Sequence, residues 1–282
     1  MTRAGGLDWL EVWRAMCAEV ERSSPHSAPA EDRWRERAAR FDRMGRERRD
    51  DGLVEALGPL LRAADVVVDV GAGPGRNAIP LARACARVVA VEPSPAMRAL
   101  LEARVAEEHL DNVEIVAEPW PAATCPGDVV FSSHVVYGVP DLEAFVRAMT
   151  ASARRACVLV LGLRAPADAL GELAAAVHGA ARPPRPAALE ALAVLHQLGL
   201  EASLEVLDGS ERAVAFDTSD EDLREVCVRL GVPADDEQGR DRVRRALCAF
   251  PKDERGRHVV GAAGPNALLR WGPDRAAFAP RP

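Results

Sequence analysis

Aromatic residues are scarce, 4% of the 282-residue chain, and tyrosine occurs once, at Tyr137. No apolar run approaches the length of a membrane span. Asp8 and Glu11 interrupt the N-terminal segment where a signal peptide needs an unbroken apolar stretch. Neither a membrane partner nor export is therefore expected. A basic surplus is missing too. Lys and Arg number 36 against 43 Asp and Glu, a net charge of −7. That balance disfavours a nucleic-acid partner, whose phosphates call for a cationic face. Cys17, Cys85, Cys125, Cys157, Cys227 and Cys248 lie far apart, and no pair has zinc-ligand spacing. No metal site is expected, and the pattern fits buried thiols in a reducing cytoplasm.

What the chain does have is a 48% hydrophobic composition, enough to bury a sizeable core in one large or two small domains. Its most informative stretch is Asp65-Val-Val-Val-Asp69-Val-Gly71-Ala72-Gly73-Pro-Gly75-Arg76-Asn77. The β-branched run reads as a strand buried on both faces. Three alternating glycines then let the backbone turn and let a ligand approach it. An apolar, glycine-free segment from Ala78 to Ala86 follows as a helix would. Strand, glycine turn and helix start together form a nucleotide-type corner. The dinucleotide fingerprint needs a small residue at 76, where Arg76 stands, and the P-loop Lys-Ser/Thr is absent. An NAD enzyme on the same corner is the rival that Arg76 opposes. Asp69 would repel a pyrophosphate but suits a ligand carrying an ammonium group. Glu92 ends a second apolar run about 20 residues on, where an acid accepts hydrogen bonds from a ribose diol. A nucleoside joined to an amino acid meets both requirements.

With Asp69-Val-Gly71-Ala72-Gly73-Pro-Gly75 and Val91-Glu92-Pro93-Ser94, the chain resembles the class I S-adenosylmethionine-dependent methyltransferases over about residues 30 to 165. A weaker echo lies near the C-terminus. The resemblance implies S-adenosyl-L-methionine as cofactor. Asp69, Gly71, Ala72, Gly73, Gly75 and Arg76 then surround its methionine end, and Glu92 and Pro93 its ribose. It also implies a flap over the methionine end in the region of Trp34, Arg37 and Phe41. The spacing of Trp34, Ala38 and Phe41 reads equally as core packing.

Glu118 and Trp120 close a third strand, placed to accept from an adenine amino group and to stack on the ring. The related enzymes usually carry Asp where Glu118 stands. Ser132, Ser133 and His134 end a fourth strand on the same side of the sheet. His134 is the candidate general base, its unperturbed pKa lying near neutrality. It reads otherwise as a pocket wall or turn cap. Tyr137 shapes the pocket or donates a hydrogen bond. The Asn/Asp-Pro-Pro-Tyr motif of methyltransferases acting on adenine or glutamine amides is absent, which points to small-molecule acceptors. A protein or peptide methyltransferase and a non-catalytic S-adenosylmethionine-binding protein remain alternatives. His178, Gly179 and Arg182 read as a helix end or as an anion contact.

Strand and helix alternate, so an α/β doubly wound, mostly parallel seven-stranded sheet is expected, with N-terminal helices and a helical insertion near the C-terminus. The division expected is a helical cap over 1–50, a methyltransferase core over 51–207 and 263–282, and an insertion or lid over 208–262. Segments 201–207 and 266–271 should pair at the sheet's end. The chain is expected to act as a monomer or homodimer.

Overall fold

The computed structural model describes residues 6–22, 34, 35, 38, 41, 42, 53–123, 125–207 and 212–273. The runs of valine set the centre of the sheet. β1 (Val66–Val70) pairs in parallel with β2 (Arg87–Val91) on one side and β4 (Gly127–Ser133) on the other. β3 (Val113–Val116) flanks β2, and β5 (Ala153–Gly162) flanks β4, both in parallel. β9 (Asn266–Trp271) then runs antiparallel to β5 and to β6 (Ser203–Leu207). The order is β3-β2-β1-β4-β5-β9-β6. The seven-stranded, mostly parallel sheet and its late antiparallel pair thus stand as the sequence pattern led one to expect.

Because strand side chains alternate, β1 feeds two cores. Val68 and Val70 join one layer with Trp13 of α1 (Trp9–Arg22), Phe145 and Met149 of α5 (Leu142–Ser152), and Val194 of α7 (Ala188–Gln197). Val67 joins the other with Leu57 of α2 (Leu53–Leu57), Leu81 of α3 (Ala78–Ala82) and Leu101 of α4 (Pro95–Glu107). Asp69 lies two residues beyond Val67 and so turns to this second face.

A third cluster stands apart. Leu173 of α6 (Gly171–His178), Phe216 of β7 (Arg212–Phe216), Leu223 and Leu230 of α8 (Asp220–Leu230), Val243 and Leu247 of α9 (Glu237–Cys248) and Val260 of β8 (His258–Ala263) pack together. β7 and β8 form their own two-stranded antiparallel sheet.

Several boundaries differ from the sequence pattern. A helix over 53–62 stops at Leu57 and tightens into a 3-10 turn at Gly58–Leu60, with proline in its first turn. The helix expected to reach Ala86 ends at Ala82. There the Asn112 side-chain amide reaches back to the carbonyls of Ala82 at 2.7 Å and Cys85 at 3.2 Å, satisfying orphan acceptors at the helix end. Asn112→Ala is expected to lower stability by about 1–2 kcal/mol in urea titration and leave cofactor affinity unchanged. β8 was not foreseen. It holds Gly261, whose missing side chain admits the Ala169 carbonyl, 2.1 Å from where a Cβ would stand. Such a strand carries a weak β-branched signal.

Candidate functional site

The carboxyl ends of β1, β2 and β4 converge on one corner, where doubly wound sheets bind ligands. Gly71, Gly73 and Gly75 hold φ of +76°, +57° and +86°, a region other residues enter only with strain. Gly71 and Ala72 both donate to the Val91 carbonyl, at 2.8 and 3.1 Å, which folds the loop onto the end of β2. A Cβ at Gly71 would lie 2.4 Å from Val135 Cγ2, so the loop also abuts the segment after β4.

Glu92 is 7% exposed and locked in place. Its Oε2 accepts from Gly73 N–H at 2.8 Å and its Oε1 from Ser94 N–H at 2.8 Å. Burial raises its carboxyl above the usual range, opposed by those two hydrogen bonds. Each oxygen keeps lone-pair capacity for a further donor. Pro93 is exposed, and its carbonyl accepts from Arg98 at 2.7 Å.

Asp69 is the anomaly of the corner. Its carboxylate is 1% exposed, and neither oxygen has a hydrogen-bond partner. Burial first, and the Glu92 charge second, push it up to about 7. A second buried acid at the other end of the strand offers a comparison. Asp65 is paired with the Arg155 guanidinium and accepts from Arg62 N–H at 2.7 Å. Among the described residues, the fold supplies a cation for the acid at the amino end of β1 and none for the acid at the carboxyl end. Buried carboxylates without partners are costly and mark functional sites. The residues present therefore fit a ligand with an ammonium group near Asp69 and hydroxyls near Glu92.

Beyond β4, His134 adopts φ of +58°, and its N–H still donates to the Val160 carbonyl at 2.9 Å. Left-handed backbone at a histidine costs roughly 1–2 kcal/mol and recurs at functional sites. Tyr137 lies in the 3-10 turn that follows, its hydroxyl 2.8 Å from His134 Nδ1. The same hydroxyl accepts from Gly162 N–H at 2.7 Å. A hydroxyl has one proton. With Gly162 donating, the hydroxyl either gives that proton to Nδ1, in the tautomer that carries Nε2–H, or accepts a second bond from Nδ1–H in the other.

The other expected site residues are distributed over several parts of the fold. Ala72 is buried, and Arg76 is half-buried at the helix entrance. Ser132 is fully buried and donates to the Val70 carbonyl at 3.0 Å, which ties β4 to β1; Ser133 is half-buried. Glu118 is exposed. Trp120 donates its indole N–H to the Phe145 carbonyl at 3.1 Å and packs edge-on against that ring. Trp34 and Phe41 pack edge-on against each other at 5.7 Å while remaining 40% and 39% exposed. Arg37 lies outside the described residues. His178 and Arg182 each donate to the Leu230 carbonyl at the C-terminal end of α8, where cations are favoured.

One residue of the corner escaped the sequence reading. Arg104 is 8% exposed, donates to the Pro74 carbonyl at 3.2 Å and stands 3.9 Å from the Asp42 carboxylate. It follows Met97 and Leu101 on the buried stripe of α4. A charge at i+7 of an otherwise apolar stripe was the available signal.

Residues 68–161 match the family model described as "Methyltransferase domain". A ubiquinone biosynthesis O-methyltransferase from Methylobacterium sp. (strain 4-46) is 34% identical over 107 residues, 36% of this chain and 41% of that protein. The chain thus spans less than half the length of this curated relative. Among solved structures, a putative methyltransferase from Bacillus halodurans C-125 superposes with a TM-score of 0.55 at 16% identity, over 79% of this chain and 98% of that one. The YcgJ protein of Bacillus subtilis gives 0.51 at 18%, over 78% and 96%. The magnesium protoporphyrin IX methyltransferase of Synechocystis PCC 6803, solved with SAH bound, gives 0.51 at 16%, over 94% and 99%. Residues 68–161 thus match a methyltransferase domain, and the seven-stranded sheet has the fold of the solved structures named.

Proposed function

We propose that the protein is an S-adenosylmethionine-dependent methyltransferase that transfers a methyl group to a small-molecule acceptor by in-line displacement. The orphaned, buried carboxylate of Asp69 at the glycine corner carries this reading. When bound, S-adenosylmethionine supplies a methyl group already activated on a positively charged sulfur. Asp69 neutralises the ammonium of the methionine end, and the backbone of Gly71 to Gly75 lets that end approach closely. Glu92, oriented by Gly73 and Ser94, accepts from the ribose hydroxyls. Glu118 and Trp120 form the adenine end, Ser132 and Ser133 line the floor, and Arg76 guards the loop. Trp34 and Phe41 cover the methionine end, and the β7–β8 unit with α8 and α9 serves as the acceptor lid. Free thiols, five of the six buried, support a cytoplasmic setting.

His134 is the residue nearest to acid–base work in this reading. In the tautomer where Tyr137 donates to Nδ1, His134 presents an Nε2–H that donates to the acceptor and aligns it; in the other it presents a bare Nε2 that removes a proton. The two roles separate by pH. A base gives a rate that rises through the imidazole pKa and is abolished in His134→Gln. A donor gives no such limb, and His134→Gln retains much of the turnover.

Tyr137→Phe is expected to lower stability by about 1–3 kcal/mol, because Gly162 N–H loses its acceptor, and to lower kcat more than it changes KM. Thermal melts and steady-state kinetics on the two proteins check this. The function itself is tested by incubating the protein with methyl-labelled S-adenosylmethionine and a panel of small oxygen, nitrogen and carbon nucleophiles. Label in an organic product supports the reading. Label only in polypeptide added as a control points to a peptide acceptor. Cofactor binding without transfer to any acceptor overturns catalysis.

A further inference from the structure

A second feature lies along the sheet from the glycine corner. Just past the carboxyl end of β5 is a cavity of 330 Å³ with Arg164, Arg182, Arg185, Asp168, Glu190 and Met16 in its wall. That volume is at the small end for ligand sites. The cavity is joined to the proposed chemistry through the backbone. Tyr137 accepts from Gly162 N–H, and Arg164 is two residues on. Burial first raises the Tyr137 hydroxyl, the Gly162 hydrogen bond opposes it, and the Asp168 charge adds a smaller push upward. Met16 belongs to α1, which is docked over this side by the Trp13 indole N–H, 2.8 Å from the Val139 carbonyl.

The charges in the wall do not cancel. Glu190 accepts from Ala187 N–H at 2.9 Å at its own helix start, which positions the carboxylate and leaves its charge in the wall. Asp168 is spent on Arg185, through the guanidinium at 3.3 Å and the backbone N–H at 3.1 Å. Among the described residues, Arg182 reaches only carbonyls, those of Arg229 at 3.0 Å and of Leu230, and no carboxylate answers its charge. Burial first and Arg185 second already push its guanidinium below the ordinary value. Arg164, among the described residues, makes no ion pair and no side-chain hydrogen bond. Three arginines against the two carboxylates of Asp168 and Glu190 thus leave the wall of one small, partly apolar space with a surplus positive charge, in a protein of net charge −7.

We infer that this cavity is the acceptor site and that the acceptor is a small carboxylic acid, its carboxylate held by Arg164 and Arg182. The inference rests on the methyltransferase reading for the word acceptor, while the preference for a carboxylate stands on the wall itself. An arginine fork matches a carboxylate in geometry as well as charge. The apolar remainder of such an acid lies against Met16, and its nucleophile points toward His134 and Tyr137.

The test is binding to the whole protein of a fluorinated fragment library in which every carboxylic acid is matched with its primary amide, read by fluorine NMR. Acids are expected to bind, their amides at least about tenfold more weakly. Arg164→Gln, an exposed position with no structural bond to lose, is expected to weaken the acids about tenfold, and Arg164→Lys to restore part of that. Arg182→Lys, which keeps a cation on the α8 carbonyls, guards against loss of fold and is expected to weaken the acids as well. Equal binding of acids and amides, no acid binding, or acid binding indifferent to Arg164 and Arg182 would each overturn the inference. S-adenosylhomocysteine is titrated into the same samples. Its binding without acid binding sinks this inference alone, whereas acid binding without it sinks the methyltransferase reading.

Discussion

Asp69→Asn is expected to make the ligand-free protein more stable at pH 8 and to make it bind S-adenosylhomocysteine roughly 10–100-fold more weakly. The two effects share one cause. The carboxylate ionises at an ordinary value of 3.8 in an open chain and at about 7 in the folded protein, because burial and then Glu92 oppose its charge. Between those values the folded state keeps a proton that the unfolded state has lost. The stability present at acidic pH is therefore lost as pH rises to about 7, on the order of 4 kcal/mol in all. Glu92 is raised too, and its contribution has the same sign.

An amide at this position cannot ionise, so the loss is avoided. It is buried without partners in its turn, at a cost of about 1–3 kcal/mol. The net gain for Asp69→Asn is about 1–3 kcal/mol at pH 8, with the slope between pH 4 and 7 flattened. Urea titrations across that range measure it. The same substitution removes the one negative charge waiting for an ammonium, and calorimetry measures that loss. An unchanged stability together with unchanged affinity would show that Asp69 is an ordinary core residue.

Gly71→Ala is expected to lower stability by about 2–4 kcal/mol and to abolish measurable cofactor binding. A side chain at φ +76° costs roughly 1–2 kcal/mol. The new methyl would meet Val135 Cγ2 at 2.4 Å, and a β-branched neighbour cannot swing its methyl aside as a long side chain would. Overpacking of this kind adds about 1–3 kcal/mol. Relief comes by moving the segment after β4, which carries His134, or the glycine loop itself, which carries Gly73 N–H to Glu92. The pair Gly71→Ala with Val135→Ala separates the two terms. The clash vanishes and the backbone strain stays, so the double variant is expected to recover about half of the lost stability. Should Gly71→Ala fold and bind normally, the close approach of loop and β4 is not required.

The parts of the fold legible from sequence were those with one dominant local cause. Val66 to Val70 are β-branched and doubly buried, and they lie in the middle of the sheet. Ser94 before Pro95 marked the start of α4, and its hydroxyl does accept from Met97 N–H, at 3.4 Å. The pairing of 201–207 with 266–271 was expected because the resembled family closes its sheet with a late pair of strands, and Ser203–Leu207 does pair with β9. β8 was hidden because its Gly261 serves the Ala169 carbonyl of a distant turn rather than its own strand.

The candidate site divides the same way. Asp69, the glycines and Glu92 sit on contiguous sequence, so their juxtaposition could be read in advance. That Asp69 lacks a partner could not, since a missing hydrogen bond is a property of the whole packed interior. Nor could the reach of Arg104 to Pro74 across 30 residues, or the link from His134 through Tyr137 to Gly162. The wall of the second cavity joins α1, the end of β5 and the proline-rich segment before α7, three stretches with no local relation in the chain.

The central claim is that Asp69 receives a cation from the ligand. It is tested most directly by titrating S-adenosylhomocysteine calorimetrically at pH 6 in buffers of differing ionisation enthalpy. At that pH ligand-free Asp69 holds its proton, and an arriving ammonium should expel it. The account predicts one-to-one binding with release of roughly one proton, and none from Asp69→Asn. Tight binding with no proton released, or the same release from both proteins, would contradict it.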